Sequence, residues 1–213
     1  MFSAGGVPAR GKKTRSSAQR LAATADEFGQ VPAGIRGPGG TTSAWTVILG
    51  NMMIRDATLT DWSAIWPFLR EIVAAGETYT WPRDVTEERA RDMWLVRPPS
   101  RTVVAVDQDG TVLGSAKMNP NQLGPGSHIA SASFMVAPPY TGRGIGRALG
   151  EEALRWARVE GYRAMQFNAV VETNTAAVGL WKSLGFEILG TLPEGFRHPI
   201  HGFVGLHIMH RRL

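Results

Sequence analysis

The order of strand and helix signals in this chain predicts an α/β (α+β) fold with an antiparallel start and a βαβ centre. Three observations carry that prediction. Two β-type runs flank the turn Asp107-Gln108-Asp109-Gly110, which marks a hairpin. A strand-like run over residues 129–136 leads through a proline and glycine loop into a helical pattern over 144–160. A second strand, helix and strand follow over residues 164–170, 174–184 and 186–191.

The elements are justified in order. Residues 52–57 read as the first strand. Thr60 or Asp61 can cap a helix whose stripe is Trp62, Ile65, Trp66, Leu69, Ile72 and Val73. Pro67 lies inside that stripe, so a kink or a break is expected there. Residues 86–96 form a second helical pattern, with Glu87 and Glu88 in its first turn where the helix dipole favours acids. Pro98-Pro99 ends it. Residues 102–106 and 112–118 are strands around the hairpin turn. On the helix over 144–160, Ile145, Leu149, Ala153 and Trp156 share the inward face. A last strand is expected over 203–209.

Composition sets limits. The 213 residues are 43% apolar and 19% charged, enough for a packed core. With no Cys, a disulfide scaffold, a Cys-ligated metal and a Cys nucleophile are excluded. The longest apolar stretch, residues 45–54, is shorter than the ~18 residues a span requires and contains Gly50 and Asn51. The net charge is +5, but residues 1–50 hold six Lys+Arg against two Asp+Glu, and residues 51–213 hold seventeen against sixteen. The basicity belongs to the N-terminal segment, so the remainder carries no polyanion-binding signal.

The chain therefore divides into residues 1–50, read as a disordered basic tail rich in Gly, Ser and Pro, and a domain over 51–213. A transit peptide would share the Arg and Ser content but needs an amphipathic helix that is not evident. A start codon at Met52 is the other reading of the tail. There is no apolar secretory h-region, and a cytoplasmic location is expected.

The most informative stretch is Val136-Ala137-Pro138-Pro139-Tyr140-Thr141-Gly142-Arg143-Gly144-Ile145-Gly146-Arg147. Glycines let an anion approach the backbone, and an opening helix offers unpaired N–H groups. A phosphate or diphosphate site is expected here, with Arg143 and Arg147 adding charge. A P-loop would need Gly-Lys-Ser/Thr, which Gly146-Arg147-Ala148 does not supply. A dinucleotide fingerprint fits imperfectly, because Gly144, Gly146 and Gly150 leave three residues in the second gap. About thirty residues on, Asn174 precedes Ala177, Leu180, Trp181 and Leu184 at helical spacing, and Gly185-Phe186 ends the helix and opens a strand.

Together these two segments resemble the GNAT acyltransferase superfamily, whose pattern is Gln/Arg-x-x-Gly-x-Gly/Ala followed by Asn-x-x-Ala-x-x-Leu-Tyr-x-x-x-Gly-Phe. The resemblance covers residues 52–213. Within the superfamily the chain is similar to the phosphinothricin-type acetyltransferases, on Glu77-Thr78-Tyr79-Thr80-Trp81 and on the ending from Leu192-Pro193 to Arg197-His198. Two positions depart from the pattern. Thr141 stands where Gln or Arg is frequent, and Trp181 stands where many members have the Tyr that protonates the leaving thiolate. An indole N–H does not give up its proton near neutrality, so Trp181 cannot be that acid.

The resemblance implies a mixed, mostly antiparallel twisted sheet with a central splayed parallel strand pair and about four flanking helices. It implies acetyl-CoA as co-substrate and no metal. Its pantetheine arm would lie along Phe134, Met135 and Val136, with an amide at Met135 or Val136 on the thioester carbonyl. Its diphosphate would lie on Thr141, Gly142, Arg143, Gly144, Ile145, Gly146 and Arg147. Asn174 would hold the arm from the facing side, and Trp181 would pack beside it. Tyr79 and Trp81 would line the pocket of a small amine. Base candidates are Glu77, His128 and Glu172, and Tyr140 or solvent could return the proton.

Of the histidines, His207 and His210 fall three apart on a strand and point to opposite faces, which argues against a shared metal. The expected partners are an acyl-CoA and a small amine, with a homodimer left open, and neither nucleic acid nor membrane. Two functions remain open at this point: an N-acetyltransferase acting by direct attack, and a catalytically weak or inactive acyl-CoA-binding module that Trp181 would favour.

Overall fold

The computed structural model describes Val47–Leu49 and residues 51–213. Eight strands form one sheet in the order β1-β2-β3-β4-β5-β6-β8-β7: β1 Val47–Leu49, β2 Met52–Asp56, β3 Arg101–Val106, β4 Val112–Pro120, β5 Ile129–Val136, β6 Ala164–Val171, β7 Glu187–His198 and β8 Gly202–Arg212. Every neighbouring pair is antiparallel except β5 and β6, which are parallel. The sheet begins ahead of the boundary expected at residue 51, because β1 pairs with β2 with Leu49 opposite Met52. Residues 1–46, the bulk of the segment read as a tail, lie outside the described residues.

Four helices flank the sheet: α1 Trp62–Ala75, α2 Glu87–Trp94, α3 Ile145–Val159 and α4 Thr175–Ser183. On one face, α1 and α2 bury Trp62, Ile65, Leu69, Val73 and Trp94 against Val104, Val106 and Met135. On the other, α3 and α4 bury Leu149, Ala153, Trp156, Trp181 and Leu184 against Ala116, Met118, Met165 and Met209. The side chains of β5 alternate between the two layers, as a strand's period of two requires.

α1 runs unbroken through Pro67, against the kink or break expected of it. Proline removes the N–H that would bond the carbonyl of Ser63. Both residues are exposed, so water can take that bond. α3 is tied to β3 by a buried ion group. The carboxylate of Glu152, 3% exposed, accepts from Arg101 Nη1 at 2.7 Å and from Arg155 Nε at 2.7 Å. The β7–β8 hairpin is longer than the pattern suggests, because Pro193 and Glu194 are absorbed in an irregularity between Leu192 and Phe196. No described helix is long and apolar enough to cross a membrane.

Candidate active site

The site begins where β5 and β6 separate. They pair only at Ile129↔Ala164 and Ala130↔Met165. Beyond that point β5 continues along β4 as far as Gly114↔Val136, and β6 continues along β8 as far as Val171↔Leu206. The two strands therefore hold their outer partners and leave a slot between them, the splay expected of this pair.

The register settles which groups face the slot. Ala137 N–H donates to Leu113 at 2.9 Å and Asn121 N–H donates to Ile129 at 2.8 Å, so the odd-numbered residues of β5 exchange bonds with β4. The even-numbered residues, Ala132, Phe134 and Val136, direct their N–H and C=O away from β4 into the slot. Of the two amides expected to serve the thioester, Val136 faces the slot and Met135 faces β4. The Phe134 carbonyl accepts from the hydroxyl of Tyr79 at 2.8 Å.

At the C-terminal end of β5 the chain turns through Pro138–Tyr140 into the glycine loop. Gly142 and Gly144 have φ of +75° and +81°, which glycine adopts freely and L residues avoid. A Cβ built on either would meet nothing within 4 Å, so the space beside both glycines is open. The start of α3 has no side-chain cap, and its first bond inside the helix is Ala148 N–H to Gly144 C=O. The N–H groups of Ile145, Gly146 and Arg147 therefore point outward at the positive end of the helix. Space, free donors and positive potential together fit a diphosphate.

The expected phosphate residues divide. The Thr141 hydroxyl donates to Pro138 C=O at 3.0 Å and braces the turn. The Arg143 guanidinium lies 5.3 Å from the Tyr140 ring centre. Arg147 Nη2 donates to Ser183 on α4 at 2.7 Å, which ties the two helix ends together. Asn174 Oδ1 accepts from Ala177 N–H at 3.1 Å and caps α4.

Trp181 is 6% exposed and packs 4.7 Å from Phe134 and 4.9 Å from Phe167, ring centre to ring centre. These rings join α4 to both strands of the slot. Gly150, which fitted poorly as a third phosphate glycine, has a packing role. A Cβ there would lie 2.8 Å from Leu184 Cδ1 and 3.0 Å from Trp181 Cζ3.

On the opposite face, Tyr79, Trp81 and Trp94 meet edge to face at 5.7–6.4 Å. Burial pushes the Tyr79 phenol up, so it stays a hydrogen-bond donor at neutral pH. Sequence reasoning missed Lys117. Its ammonium lies 5.8 Å and 5.9 Å from the ring centres of Trp81 and Trp94 and donates to Met93 C=O at 3.0 Å. Burial lowers its pKa. The signal available was a lone lysine inside an otherwise uncharged strand, β4.

The base candidates separate by place. Glu77 is exposed in the loop before Tyr79. His128 is corrected. It precedes the closed end of the β5–β6 pair, about 26 Å along the strand from Val136, with Nδ1 3.1 Å from Pro125 C=O. A base there cannot reach a thioester held at the Val136 amide. Glu172 Oε1 accepts from Gly205 N–H at 2.6 Å and is held on β8. Among the described residues no three His, Asp or Glu side chains gather into a metal-holding group.

Comparison with known proteins adds the relatives. The chain is similar to a solved GCN5-related N-acetyltransferase from Kribbella flavida, at 62% identity and a TM-score of 0.75, covering 76% of this chain and 98% of that one. It is similar to the L-methionine sulfoximine/L-methionine sulfone acetyltransferase of Pseudomonas paraeruginosa, 30% identical over 145 residues, 66% of this chain and 83% of that protein. It shares its fold with a phosphinothricin acetyltransferase from Sinorhizobium meliloti solved in complex with AcCoA, at 24% identity and a TM-score of 0.69, covering 76% and 89%. Residues 66–186, which hold the slot, the glycine loop and both helices behind them, match the family described as Acetyltransferase (GNAT), and the chain belongs to that family.

Proposed function

We propose that this chain transfers an acetyl group from acetyl-CoA to the amine of a small, amino-acid-like acceptor, by direct attack while both substrates are bound. The observation that carries this reading is the slot edge: Val136 N–H faces away from β4 into the slot, one short turn before the first amides of α3 at Ile145, Gly146 and Arg147. In this reading the amides from Gly142 to Arg147 hold the diphosphate, and the edge of β5 from Phe134 to Val136 lines up the pantetheine arm. The Val136 amide donates to the thioester oxygen, where negative charge grows as the amine attacks.

The acceptor enters from the face of Tyr79, Trp81 and Lys117. The relative that acts on methionine sulfone and sulfoximine supports an amino-acid-like acceptor. An alkyl amine with a pKa near ~10 is protonated at neutral pH and must lose a proton before attack. Glu77, exposed in the acceptor loop, is the base this reading retains, directly or through water. Trp181 packs beneath the slot and returns no proton.

The test is thiol release from acetyl-CoA across an amine panel that includes L-methionine sulfone, with initial rates measured against both substrates. Intersecting double-reciprocal lines are expected for a direct transfer. Parallel lines would rule that mechanism out. Trp181, buried where a proton donor is usual, favours the second reading, an acyl-CoA-binding module. Tight CoA binding without turnover on any amine would establish it.

A further inference from the structure

A cavity of about 720 Å³ lies between the loop after α1 and the tip of the β7–β8 hairpin. Gly76 and Arg83 line it from one side, and Arg197, His198, Ile200 and Gly202 from the other. Its lining carries two guanidinium groups and an imidazole, and no carboxylate.

Each polar group is set by the backbone around it. Arg83 Nε donates to Ala74 C=O at 2.7 Å, at the C-terminal end of α1. The side chain lies across Gly76, where a Cβ would come within 2.9 Å of Nε and 3.0 Å of Cδ. That leaves both Nη groups of Arg83 for a ligand, and the Arg197 side chain makes no ion pair or hydrogen bond among the described residues.

His198 is 7% exposed. Its Nδ1 accepts from Ile200 N–H at 3.1 Å and from His201 N–H at 3.2 Å. A ring nitrogen that accepts two N–H bonds carries no proton, so the proton resides on Nε2. Among the described residues that N–H meets no acceptor, and His198 lines the cavity. An imidazole N–H donor and two guanidiniums lining one cavity that holds no carboxylate call for a negative charge. The cavity adjoins the acceptor loop, since Gly76 immediately precedes Glu77 and lies three residues from Tyr79.

We propose that this cavity is the acceptor's anion subsite, in which Arg83, Arg197 and His198 Nε2–H bind the carboxylate of the amine substrate. The proposal rests on the acceptor reading above and adds to it the selection of acidic over neutral amines. Arginine forks match a carboxylate in two bonds, and the histidine adds a third donor whose direction the hairpin turn sets.

The test pairs L-methionine sulfone with its primary amide, which keeps the amine and loses the charge. At saturating acetyl-CoA, the unaltered protein is expected to prefer the carboxylate at least tenfold in kcat/KM. In Arg197→Gln and in Arg83→Gln that preference falls toward one, through KM for the acid, while KM for acetyl-CoA does not move. Both arginines are exposed, so the variants are expected to keep the Tm of the parent. Equal losses on acid and amide, or a preference that survives both substitutions, would overturn the subsite.

Calorimetric titration of L-methionine sulfone into the protein–CoA complex separates the two readings. Binding that weakens in Arg197→Gln, without turnover, sinks the transfer reaction and keeps the anion subsite. Turnover on neutral amines with no binding of the acid keeps the reaction and sinks the subsite.

Discussion

Helices α3 and α4 lie side by side behind the same slot and begin in opposite ways. α4 opens on Asn174, whose side-chain oxygen takes the N–H of Ala177. α3 opens on Gly144, with no side chain to take any of its first amides. A helix that must only be stable satisfies its first turn from its own sequence. One that leaves those donors open, behind two glycines at positive φ, keeps them for something else. The contrast also explains why Asn174 and Gly144 belong to one family pattern while doing different work. The glycine leaves the first amides of its helix open, and the asparagine closes those of its own.

The largest effect that would break this comparison is at the open start. Gly144→Val places a β-branched residue at φ +81°, where L side chains are strained, and bends the amide cradle. CoA affinity is expected to fall at least a hundredfold, about 2.7 kcal/mol, measured by calorimetry on protein shown by circular dichroism to be folded. Unchanged affinity in folded protein would mean that the α3 amides hold no phosphate.

Between the two starts, Gly150 sets how closely the helices approach. Gly150→Ala pushes a methyl group into Leu184 and Trp181. The expected cost is about 1–3 kcal/mol in denaturant unfolding, as for other overpacked cores. If stability is unaffected, the two helices are not in fixed contact and Trp181 has room to move.

The closed start is worth less. Asn174→Ala is expected to destabilise by about 1 kcal/mol. Asn174→Asp keeps the accepting oxygen and removes the Nδ2 donor, so its stability should match the parent. A drop in CoA affinity shared by Asn174→Asp and Asn174→Ala, in folded protein, would give that amide nitrogen a second role on the pantetheine arm.

The same two helices show how much of the site the sequence carried. The glycine loop and Asn174 were legible because their chemistry is local: a turn, a cap and free amides depend on adjacent residues. The strand order and the splay were legible only through the family pattern, since nothing in the alternation of Ile129–Val136 says that its partner will diverge.

What could not be read was which end of a strand lies where. His128 sits beside β5 in sequence but at its closed end in space, a consequence of β6 running parallel and pairing only at its first two residues. Glu172 reads as a free carboxylate until β8 is brought alongside to supply Gly205 N–H. Lys117 and the His198 tautomer depend on contacts 24 residues away and on a turn two residues away. Neither periodicity nor composition encodes them.

A third helix start sharpens the contrast by using charge. α1 is preceded by Asp61, whose carboxylate takes both Nη groups of Arg55 at 2.7 Å and 2.8 Å and the N–H of Thr58 at 2.7 Å. The hydrogen bonds from Arg55, then those from the Thr58 backbone and hydroxyl, hold its pKa at about 2 against an ordinary 3.8, with burial opposing them. Because the folded value is the lower one, the unfolded chain takes up the proton first as pH falls. The stabilisation is complete above pH 4 and is lost as pH descends through 2. Asp61→Asn cannot titrate, so its Tm should lie below that of the parent at pH 6, and the gap should close between pH 4 and pH 2. Parallel Tm curves across that window would show that the α1 start, unlike the α4 start, draws nothing from the side chain at its first position.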